Sequence, residues 1–298
     1  MPLAGYLAAA GFVTELQYEL ADAVVATHGR LVLAEGPVRP AAWAANVWLD
    51  PREIEISSIG DAAKRLRALQ RNWALYSHAH HRRAALIAEK LPKVSAKPIR
   101  FGAAPPAAPL GSWTLLAPNL LLAAPNCSSP VRHGEWRFVE DRKAPPNRAY
   151  LKLWEIFTRI GRQPRAGELC LDLGSSPGGW SWVLQNLGAR VISVDKAPLA
   201  PAVAALPNIE FRRGSAFALD PRQFEGIDWL FSDVVCYPER LYRLVETWLA
   251  AGTKRFVCAL KFQGATDHET ACRFAAIPGS RLMHLHHNKH ELTWIKLD

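Results

Sequence analysis

The feature that most constrains the fold is a short apolar run that ends in a glycine-rich turn. Residues 169–173 read Leu-Cys-Leu-Asp-Leu, and the following Gly-Ser-Ser-Pro-Gly-Gly leads into a helical pattern. A second apolar run, Val191–Asp195, ends in an acidic residue. A buried strand, a glycine-rich turn, a helix and an acidic strand end are typical of a nucleoside site in an open parallel sheet. The chain therefore predicts such a site at the carboxyl ends of two strands.

Strands and helices alternate from about residue 150 to residue 276. The predicted strands are 169–173, 191–195, 209–212, 227–233 and 255–261, and the predicted helices are 151–160, 179–187, 239–250 and 267–276. Alternation of this kind predicts a doubly wound parallel sheet with helices on both faces.

The last segment breaks the alternation. Two predicted strands, 281–286 and 291–297, are joined by only four polar residues. A parallel pair needs a crossover connection, so these strands must be antiparallel. A parallel sheet closed by an antiparallel hairpin is typical of the Rossmann-like, seven-stranded methyltransferase fold. We therefore predict an α/β protein with that fold and a smaller N-terminal α+β domain.

The front half has a weaker pattern. Segments 5–26 and 59–69 are predicted to be helical, segments 43–49 and 113–122 to be extended, and segment 96–111 to be a loop. Residues 130–146 are charged and contain proline, which favours a linker. The predicted organisation is an N-terminal domain over 1–128, a linker over 129–146 and a second domain over 147–298.

The net charge of +9 suggests a polyanionic partner, with nucleic acid the first candidate. Ten lysines and arginines lie between Lys64 and Arg100, with Trp73 and Tyr76 among them. Cations with interleaved aromatic rings favour RNA contact; a solvated helix face is the alternative. The candidate RNA-binding residues are Arg67, Arg71, Arg82, Arg83 and Arg148.

The five cysteines are scattered and form no CxxC pair. They are typical of thiols in a reducing compartment. We find no pattern of a signal peptide or a transmembrane span, and we expect a cytoplasmic protein.

The glycine-rich turn departs from the dinucleotide-binding fingerprint. That fingerprint needs a glycine where this chain has Ser176, and Pro177 stiffens the loop. Such a turn suits a ligand without phosphates, such as S-adenosylmethionine. Asp195 follows Gly174 by 21 residues and is placed to accept hydrogen bonds from ribose hydroxyls. The candidate cofactor-binding residues are Asp172, Gly174, Ser175, Ser176, Pro177, Gly178, Gly179, Trp180, Asp195, Ser215 and Asp233.

Two segments resemble a known family. Residues 172–180, DLGSSPGGW, resemble motif I of the FtsJ-like ribose 2′-O-methyltransferases, and Asn147–Glu155 resembles that family's SRAxxKLxE segment. The details are most similar to the branch that methylates large-subunit ribosomal RNA, the RlmM type. The resemblance extends from about Ser129 to the C-terminus. The segment from Ala10 also resembles, in shortened form, the start of that branch's RNA-binding region, which includes a THUMP module.

The resemblance implies a catalytic Lys-Asp-Lys-Glu tetrad, which falls on Lys152, Asp233, Lys261 and Glu291. In this interpretation Lys261 is the general base for a ribose hydroxyl, and a nearby Lys152 disfavours its protonated form. The two carboxylates orient the amines. The alternative is a structural salt-bridge network. The family commonly has an acidic residue that contacts adenine where this chain has Arg213-Gly-Ser215.

Four histidines between 284 and 290 do not predict a metal site, because strand alternation separates them, and methyl transfer needs no metal. We therefore predict an S-adenosylmethionine-dependent RNA 2′-O-methyltransferase that acts on large-subunit rRNA, with no metal and no membrane partner, and favour a monomer. The alternatives are a 2′-O-methyltransferase of tRNA or cap RNA, a non-catalytic RNA-binding or assembly factor, and a small-molecule O-methyltransferase.

Overall fold

The computed structural model describes residues 2–298. The chain divides into two compact units, residues 1–138 (unit 1) and residues 139–298 (unit 2). The division falls inside the segment 129–146, and residues 129–138 belong to unit 1. No helix among the described residues has both the length and the apolar character needed to cross a membrane.

Unit 1 is built from two sheets and three α-helices. Its helices are α1 (Val13–Leu20), α2 (Ile59–Leu69) and α3 (His81–Ala88), and its strands are β1 (Leu3–Ala8), β2 (Val24–His28), β3 (Leu31–Glu35), β4 (Ala44–Leu49), β5 (Arg52–Glu55), β6 (Trp73–Leu75), β7 (Gly111–Ala117), β8 (Leu120–Ala124) and β9 (Asn126–Cys127). One sheet has the order β2-β3-β1-β4-β9, and the other has the order β5-β8-β7-β6. Buried residues of α2 and α3 form one core cluster with Trp113 and Leu121 of the second sheet.

The predicted helix over 5–26 is wrong. The segment contains β1, α1, the 3₁₀ helix Ala21–Ala23 and β2. Strand β1 lies between β3 and β4, and its residues from Ala4 to Ala8 are buried. A continuous apolar run of this length fits a buried strand as well as a helix. The helix over 59–69 is confirmed, and the Ser58 hydroxyl caps it by accepting from the Asp61 N–H at 3.0 Å.

The extended segment 113–122 is in fact two strands, β7 and β8, that pair as an antiparallel hairpin. Pro118 and Asn119 lie between them. These are turn residues, and they account for the reversal of the chain at this point.

Unit 2 alternates strands and helices as predicted. Its strands are β10 (Leu169–Leu173), β11 (Arg190–Asp195), β12 (Ile209–Arg213), β13 (Trp229–Ser232), β14 (Phe256–Lys261), β15 (Ser280–Met283) and β16 (Glu291–Lys296), and its helices are α4 (Tyr150–Ile160), α5 (Gly179–Asn186), α6 (Pro201–Ala204), α7 (Pro238–Ala250) and α8 (His268–Ala275). The strand order is β12-β11-β10-β13-β14-β16-β15.

Strands β10 to β14 are parallel, and β16 pairs antiparallel with both β14 and β15. The predicted fold class is therefore confirmed, including the antiparallel closing hairpin. The strand order reverses at β10, so the crevice between β10 and β13 is where an open α/β sheet binds its ligand.

Candidate active site

The glycine-rich turn after β10 is in close backbone contact with the segment after β13. Gly174 has a φ of +74°, and a Cβ atom at this position would lie 2.8 Å from Val234 Cα. A side chain here would therefore push Val234 away from the turn. A Cβ at Gly179 would lie 2.2 Å from Asn147 Oδ1, which is part of the approach to α4. The two glycines let the turn approach the segments that carry Asp233 and Lys152.

Three buried polar atoms around this turn have no hydrogen-bond partner among residues 2–298. They are Asp172 Oδ1, Ser175 Oγ and Ser232 Oγ. Asp172 Oδ2 accepts from the Ser181 hydroxyl at 2.6 Å. Burial raises the pKa of Asp172 to about 7, although the Ser181 hydrogen bond opposes the shift. An unpartnered acidic oxygen and two unpartnered hydroxyls fit a ligand with cationic and polar groups. S-adenosylmethionine is such a ligand.

Asp195 stands at the carboxyl end of β11 and holds the turn in place. Its Oδ2 accepts from the Ser176 N–H at 3.0 Å, and its Oδ1 accepts from the Ala197 N–H at 3.0 Å. The Asp195 carbonyl accepts from the Gly214 N–H at 2.9 Å. The Ser215 hydroxyl accepts from the Phe217 N–H at 3.3 Å. Asp195 and Ser215 therefore lie at the same end of the sheet as the glycine-rich turn.

The remaining turn residues have structural contacts of their own. The Ser176 hydroxyl donates to the Pro198 carbonyl at 2.8 Å, and the Pro177 carbonyl accepts from the Ala200 N–H at 2.9 Å. Gly178 has a φ of +115°. The Trp180 ring is 2% exposed, and its indole N–H donates to the Ala149 carbonyl at 3.0 Å. The Trp180 side chain therefore belongs to the core of unit 2.

The four residues of the tetrad come from four separate elements. Lys152 lies in the first turn of α4, Asp233 follows β13, Lys261 ends β14 and Glu291 begins β16. Lys261 and Glu291 are directly paired in the antiparallel register of β14 and β16. The sheet topology thus brings to one place residues that are up to 139 positions apart in the chain.

The four side chains form one connected set of charges. Lys152 Nζ lies 2.6 Å from Glu291 Oε1 and 3.3 Å from Asp233 Oδ1, and Lys261 Nζ lies 3.0 Å from the same Asp233 oxygen. Lys261 also donates to the Asp233 carbonyl. Side-chain exposure is at most 19% for every member. Two lysine side chains therefore share one carboxylate oxygen in a site that is largely shielded from solvent.

The two lysines differ in their carboxylate contacts, because Lys152 touches both Asp233 and Glu291. Burial lowers the pKa of Lys152, but the combined attraction of these two carboxylates raises that pKa above its usual value. Lys152 is therefore the amine that stays protonated. The structural salt-bridge alternative shares this geometry, and only an activity measurement separates the two interpretations.

Glu155 was part of the matched segment but had no predicted role. It is fully buried; its Oε1 accepts from Arg159 at 3.0 Å, and its Oε2 accepts from the His286 N–H at 2.8 Å. Arg159 also donates to the His284 carbonyl at 3.3 Å. These contacts join α4, one turn beyond Lys152, to the connection that leads into Glu291. The signal in the sequence is an apolar helix face that contains a glutamate with an arginine four residues later.

The histidines near Glu291 have separate partners. His284 Nε2 is 3.1 Å from the Lys289 carbonyl, and His290 Nε2 is 2.8 Å from the Thr266 hydroxyl. Within residues 2–298, no group of three or more His, Cys, Asp or Glu side chains is arranged to hold a metal ion.

The candidate RNA-binding arginines fall in both units. Arg67, Arg71 and Arg82 are exposed in unit 1, and Arg83 is half-buried. Arg148, in unit 2, is 69% exposed and pairs with Glu140 at 2.7 Å.

The two aromatic residues among the cations of unit 1 have contacts within the fold. Trp73 is 5% exposed, and its indole N–H donates to the Leu66 carbonyl at 3.0 Å. The Tyr76 hydroxyl accepts from the Arg30 N–H at 2.6 Å. The expectation of base stacking is therefore wrong for Trp73. Tyr76 is half-buried, and its ring lies edge-on to Trp48.

Comparison with known proteins places unit 2 in a family. Residues 145–262 match the model of the FtsJ-like methyltransferases. The chain is 43% identical over 107 residues to ribosomal RNA large subunit methyltransferase M (RlmM) of Halorhodospira halophila, which covers 35% of this chain and 31% of the relative. It is 34% identical over 164 residues to the enzyme of the same name from Aromatoleum aromaticum, with 49% and 44% coverage. The chain thus spans less than half of these curated relatives.

Among solved structures, a 1,6-didemethyltoxoflavin-N1-methyltransferase from Burkholderia thailandensis, with S-adenosylhomocysteine bound, aligns with a TM-score of 0.36 and 16% identity. That alignment covers 51% of this chain and 78% of the other. The family assignment depends instead on the match over residues 145–262 and on the RlmM relatives. Residues 145–262 therefore form an FtsJ-like methyltransferase domain, similar to that of the RlmM enzymes, with S-adenosylmethionine as its cofactor.

Proposed function

We propose that this chain transfers the methyl group of S-adenosylmethionine to the 2′-hydroxyl of a ribose in RNA, and that the RNA is large-subunit ribosomal RNA. The observation that carries the proposal is the shared oxygen of Asp233, which lies 3.3 Å from Lys152 Nζ and 3.0 Å from Lys261 Nζ. A site for cofactor binding alone needs no such pair of amines. A site that must remove a proton from a weakly acidic hydroxyl needs a base, and these amines can provide one.

The bound cofactor supplies an electrophilic methyl group on a sulfonium. The ribose hydroxyl is a poor nucleophile until its proton leaves, so positioning and a base are the contributions of the protein. In the proposed step, Lys261 acts as the base and takes the hydroxyl proton while the ribose oxygen bonds to the methyl carbon. The electron pair of the broken carbon–sulfur bond stays on sulfur.

The two lysines have different roles in the proposed step. The raised pKa of Lys152 keeps that residue charged. The role of base is assigned to Lys261, which contacts one carboxylate where Lys152 contacts two. The Lys152 ammonium stabilises the negative charge that develops on the ribose oxygen. Glu291 orients Lys152 through its 2.6 Å contact, and Asp233 orients both amines. Lys261 is 19% exposed, which lets it return the proton to solvent.

The cofactor is proposed to lie along the carboxyl ends of β10 and β11. Asp172, Ser175 and the backbone of the turn from Gly174 to Trp180 would hold its amino-acid part, and Asp195 would accept from its ribose hydroxyls. Ser215 and neighbouring backbone groups would contact the adenine. Asp233 would lie between cofactor and substrate, because it follows Ser232, whose hydroxyl is among the unpartnered atoms.

The candidate arginines, of which all but the half-buried Arg83 are exposed, are proposed to bind the RNA backbone. Arg67, Arg71, Arg82 and Arg83 would do so from unit 1, and Arg148 from unit 2. A tRNA or cap 2′-O-methyltransferase would use the same tetrad. A non-catalytic assembly factor would need neither the tetrad nor the three unpartnered polar atoms around the turn.

The test is a methyl-transfer assay with purified protein, labelled S-adenosylmethionine and three RNAs: a large-subunit rRNA transcript, a tRNA transcript and a capped RNA. We expect incorporation into the rRNA only. We also expect the modified nucleotide to resist alkaline cleavage, because a methylated 2′-oxygen cannot attack its neighbouring phosphate. Incorporation into a base, or into tRNA in preference to rRNA, would contradict the proposal.

A further inference from the structure

Unit 1 contains a cavity of about 500 Å³ that the proposed chemistry does not use. Segments 93–99, 106–110 and 130–137 contribute most of its lining. The Ile99 N–H donates to the Arg137 carbonyl at 2.8 Å, and Asn72 Nδ2 donates to the Pro109 carbonyl at 3.3 Å. These hydrogen bonds tie the lining segments together. The volume is typical of cavities that bind small organic molecules.

The charged side chains of the lining are mostly cations. Lys93, Lys97 and Arg132 line the cavity, and none of them has an ion-pair partner within residues 2–298. Arg137 also lines it and pairs with Glu135 at 2.6 Å, the only carboxylate of the lining. Unpaired cations around a concave surface attract an anion.

The cavity wall also has a polar group suited to a neutral ligand. His133 has a φ of +58°, in the left-handed region, and its buried Nδ1 atom has no hydrogen-bond partner within residues 2–298. Burial lowers the pKa of His133 to about 4, so the imidazole is neutral at pH 7. The hydrogen bond of this ring to the Leu75 backbone uses its N–H, so the unpartnered Nδ1 is an acceptor that suits an N–H group of a base. Strained backbone of this kind is common at ligand sites.

Apart from Asn72 and Ser95, the rest of the lining is apolar. Val94, Ile99, Leu110 and Val131 contribute to it, together with several prolines. Apolar side chains can pack against the face of a nucleobase, and the cations suit the phosphates on either side of it. A base-paired strand keeps its bases stacked inside the helix and cannot insert one into a cavity. The chemistry of the lining therefore matches one unpaired nucleotide within a strand.

We propose that the cavity in unit 1 binds a single unpaired nucleotide of the RNA substrate, with the base between the apolar walls and the flanking phosphates on Lys93, Lys97, Arg132 and Arg137. The inference rests on the proposed function only in taking RNA as the substrate. It places a specific contact in a different part of the chain from the methyl-transfer site, and it predicts a preference for single-stranded over double-stranded RNA.

The test is fluorescence anisotropy of the full chain with a labelled, unstructured 12-nucleotide RNA, without cofactor. The variant Lys93→Glu/Arg132→Glu should bind at least about tenfold more weakly at 0.15 M salt, and its log–log salt slope should fall by about 1.4, since each lost contact with a single strand contributes about 0.7. Both side chains are exposed, so the fold should be retained.

A matched control changes the net charge equally at another place. Arg165→Glu/Arg190→Glu alters two exposed arginines at or near the amino ends of β10 and β11 in unit 2, opposite to the proposed cofactor site. This variant should bind the 12-mer within about twofold of the wild type. A second cavity variant, Ala108→Leu, fills space without changing charge and should weaken binding with an unchanged salt slope.

Three results would overturn the inference: wild-type affinity in Lys93→Glu/Arg132→Glu, an equal loss in the control, or equal affinity for the 12-mer and its duplex. Saturation by a free nucleoside monophosphate at the same affinity as the 12-mer would also overturn it, because the flanking phosphates would then contribute nothing. Methyl transfer is measured separately. An active Lys93→Glu/Arg132→Glu variant with full RNA affinity would contradict this inference alone, and an inactive wild type that binds the 12-mer would contradict the proposed function alone.

Discussion

The tetrad of unit 2 and the cavity lining of unit 1 differ in how their cations are paired with carboxylates. In unit 2, Lys152 and Lys261 are at most 19% exposed, and both lie within 3.3 Å of one oxygen of Asp233. In unit 1, Lys93, Lys97 and Arg132 surround a cavity and have no ion-pair partner among the described residues. Positive charge is thus held in place by carboxylates in the tetrad and left unpaired at these three positions of the cavity lining.

This difference in ion pairing indicates which kind of ligand each site suits. A shielded, charge-balanced cluster can act on a neutral hydroxyl, because its geometry is set before the substrate arrives. Unpaired cations favour a polyanion, and their interactions weaken as salt rises. The chemistry of unit 2 should therefore depend little on salt, whereas RNA binding through unit 1 should depend on it strongly.

The largest expected effect breaks the cluster in unit 2. Lys261→Ala should lower the rate of methyl transfer by about 10²–10⁴-fold, the usual loss of a general base. Affinity for S-adenosylmethionine, measured by calorimetry, should stay the same. Lys254→Ala is the matched control, because Lys254 is exposed just before the amino end of the same strand. Near-full activity of Lys261→Ala would exclude Lys261 as the base.

The second prediction tests the unpaired charges of unit 1. Reversal of Arg67, Arg71, Arg82 and Arg83 together should reduce the salt dependence of RNA binding. Four lost contacts should reduce the log–log slope of RNA affinity against salt by up to about 2.8. Over a fivefold rise in salt, the affinity of the wild type should therefore fall by up to about 10² more than that of the variant. Cofactor affinity should not change. Equal slopes for wild type and variant would exclude these four arginines as RNA contacts. Any RNA contact of unit 1 would then involve other residues, such as those of the cavity.

A third change removes an acidic group of the cofactor site. Asp195→Ala should weaken binding of S-adenosylmethionine by about 10–100-fold, since hydrogen bonds to a charged group contribute about 1.5–3 kcal/mol. Part of that loss comes from the Ser176 N–H, which loses its acceptor. Asp195→Asn keeps one acceptor and should have a smaller effect. Unchanged affinity, or tight binding of NAD, would contradict the assignment of this site.

The smallest effect concerns pH. Asp172 has its pKa raised from 3.8 to about 7 by burial, so the folded state binds a proton more tightly than the unfolded state. Stability should therefore fall as pH rises through the window from about 4 to about 7 and level off above it. Cofactor affinity should change in the opposite direction, if the ionised form of Asp172 faces a cationic group of the cofactor.

Calorimetry at pH 6 and pH 7 checks this prediction. We expect binding up to tenfold tighter at the higher pH in the wild type, since one proton is released per binding event. Asp172→Asn should bind more weakly and with little pH dependence, while it unfolds at a higher denaturant concentration than the wild type at pH 8. An identical pH profile for both proteins would refute the role of Asp172.

Unit 2 could be predicted from the sequence because its signals are local. Its buried parallel strands are continuous apolar runs, and glycines such as Gly174 and Gly188 mark the turns between strands and helices. The closing hairpin followed from the length of one connection. The family resemblance supplied the tetrad residues, but it did not supply their distances.

Unit 1 was less predictable because its signals come from tertiary contacts. The run from Leu3 to Ala8 is a strand because β3 and β4 cover both of its edges. A Cβ at Gly5 would lie 3.2 Å from atoms of Leu31 and Trp48, and nothing in the local sequence shows these neighbours. Trp73 is similar: it stands among cations in the sequence, yet the fold turns its ring inward. The contacts of Glu155 were also missed, because its partner His286 is 131 residues away.

The direct pairing of Lys261 with Glu291 makes the proposed methyl-transfer site sensitive to the alignment of the last strand. Neighbouring residues of a strand face opposite sides, so a shift of β16 by one position would turn Glu291 away and present Leu292 or His290 instead. Such a misaligned molecule would keep most of its sheet and its cofactor turn, yet Lys152 would lose its nearest carboxylate. Methyl-transfer activity would then show whether the final hairpin is correctly aligned. Measurements of secondary structure or of cofactor binding would not show this.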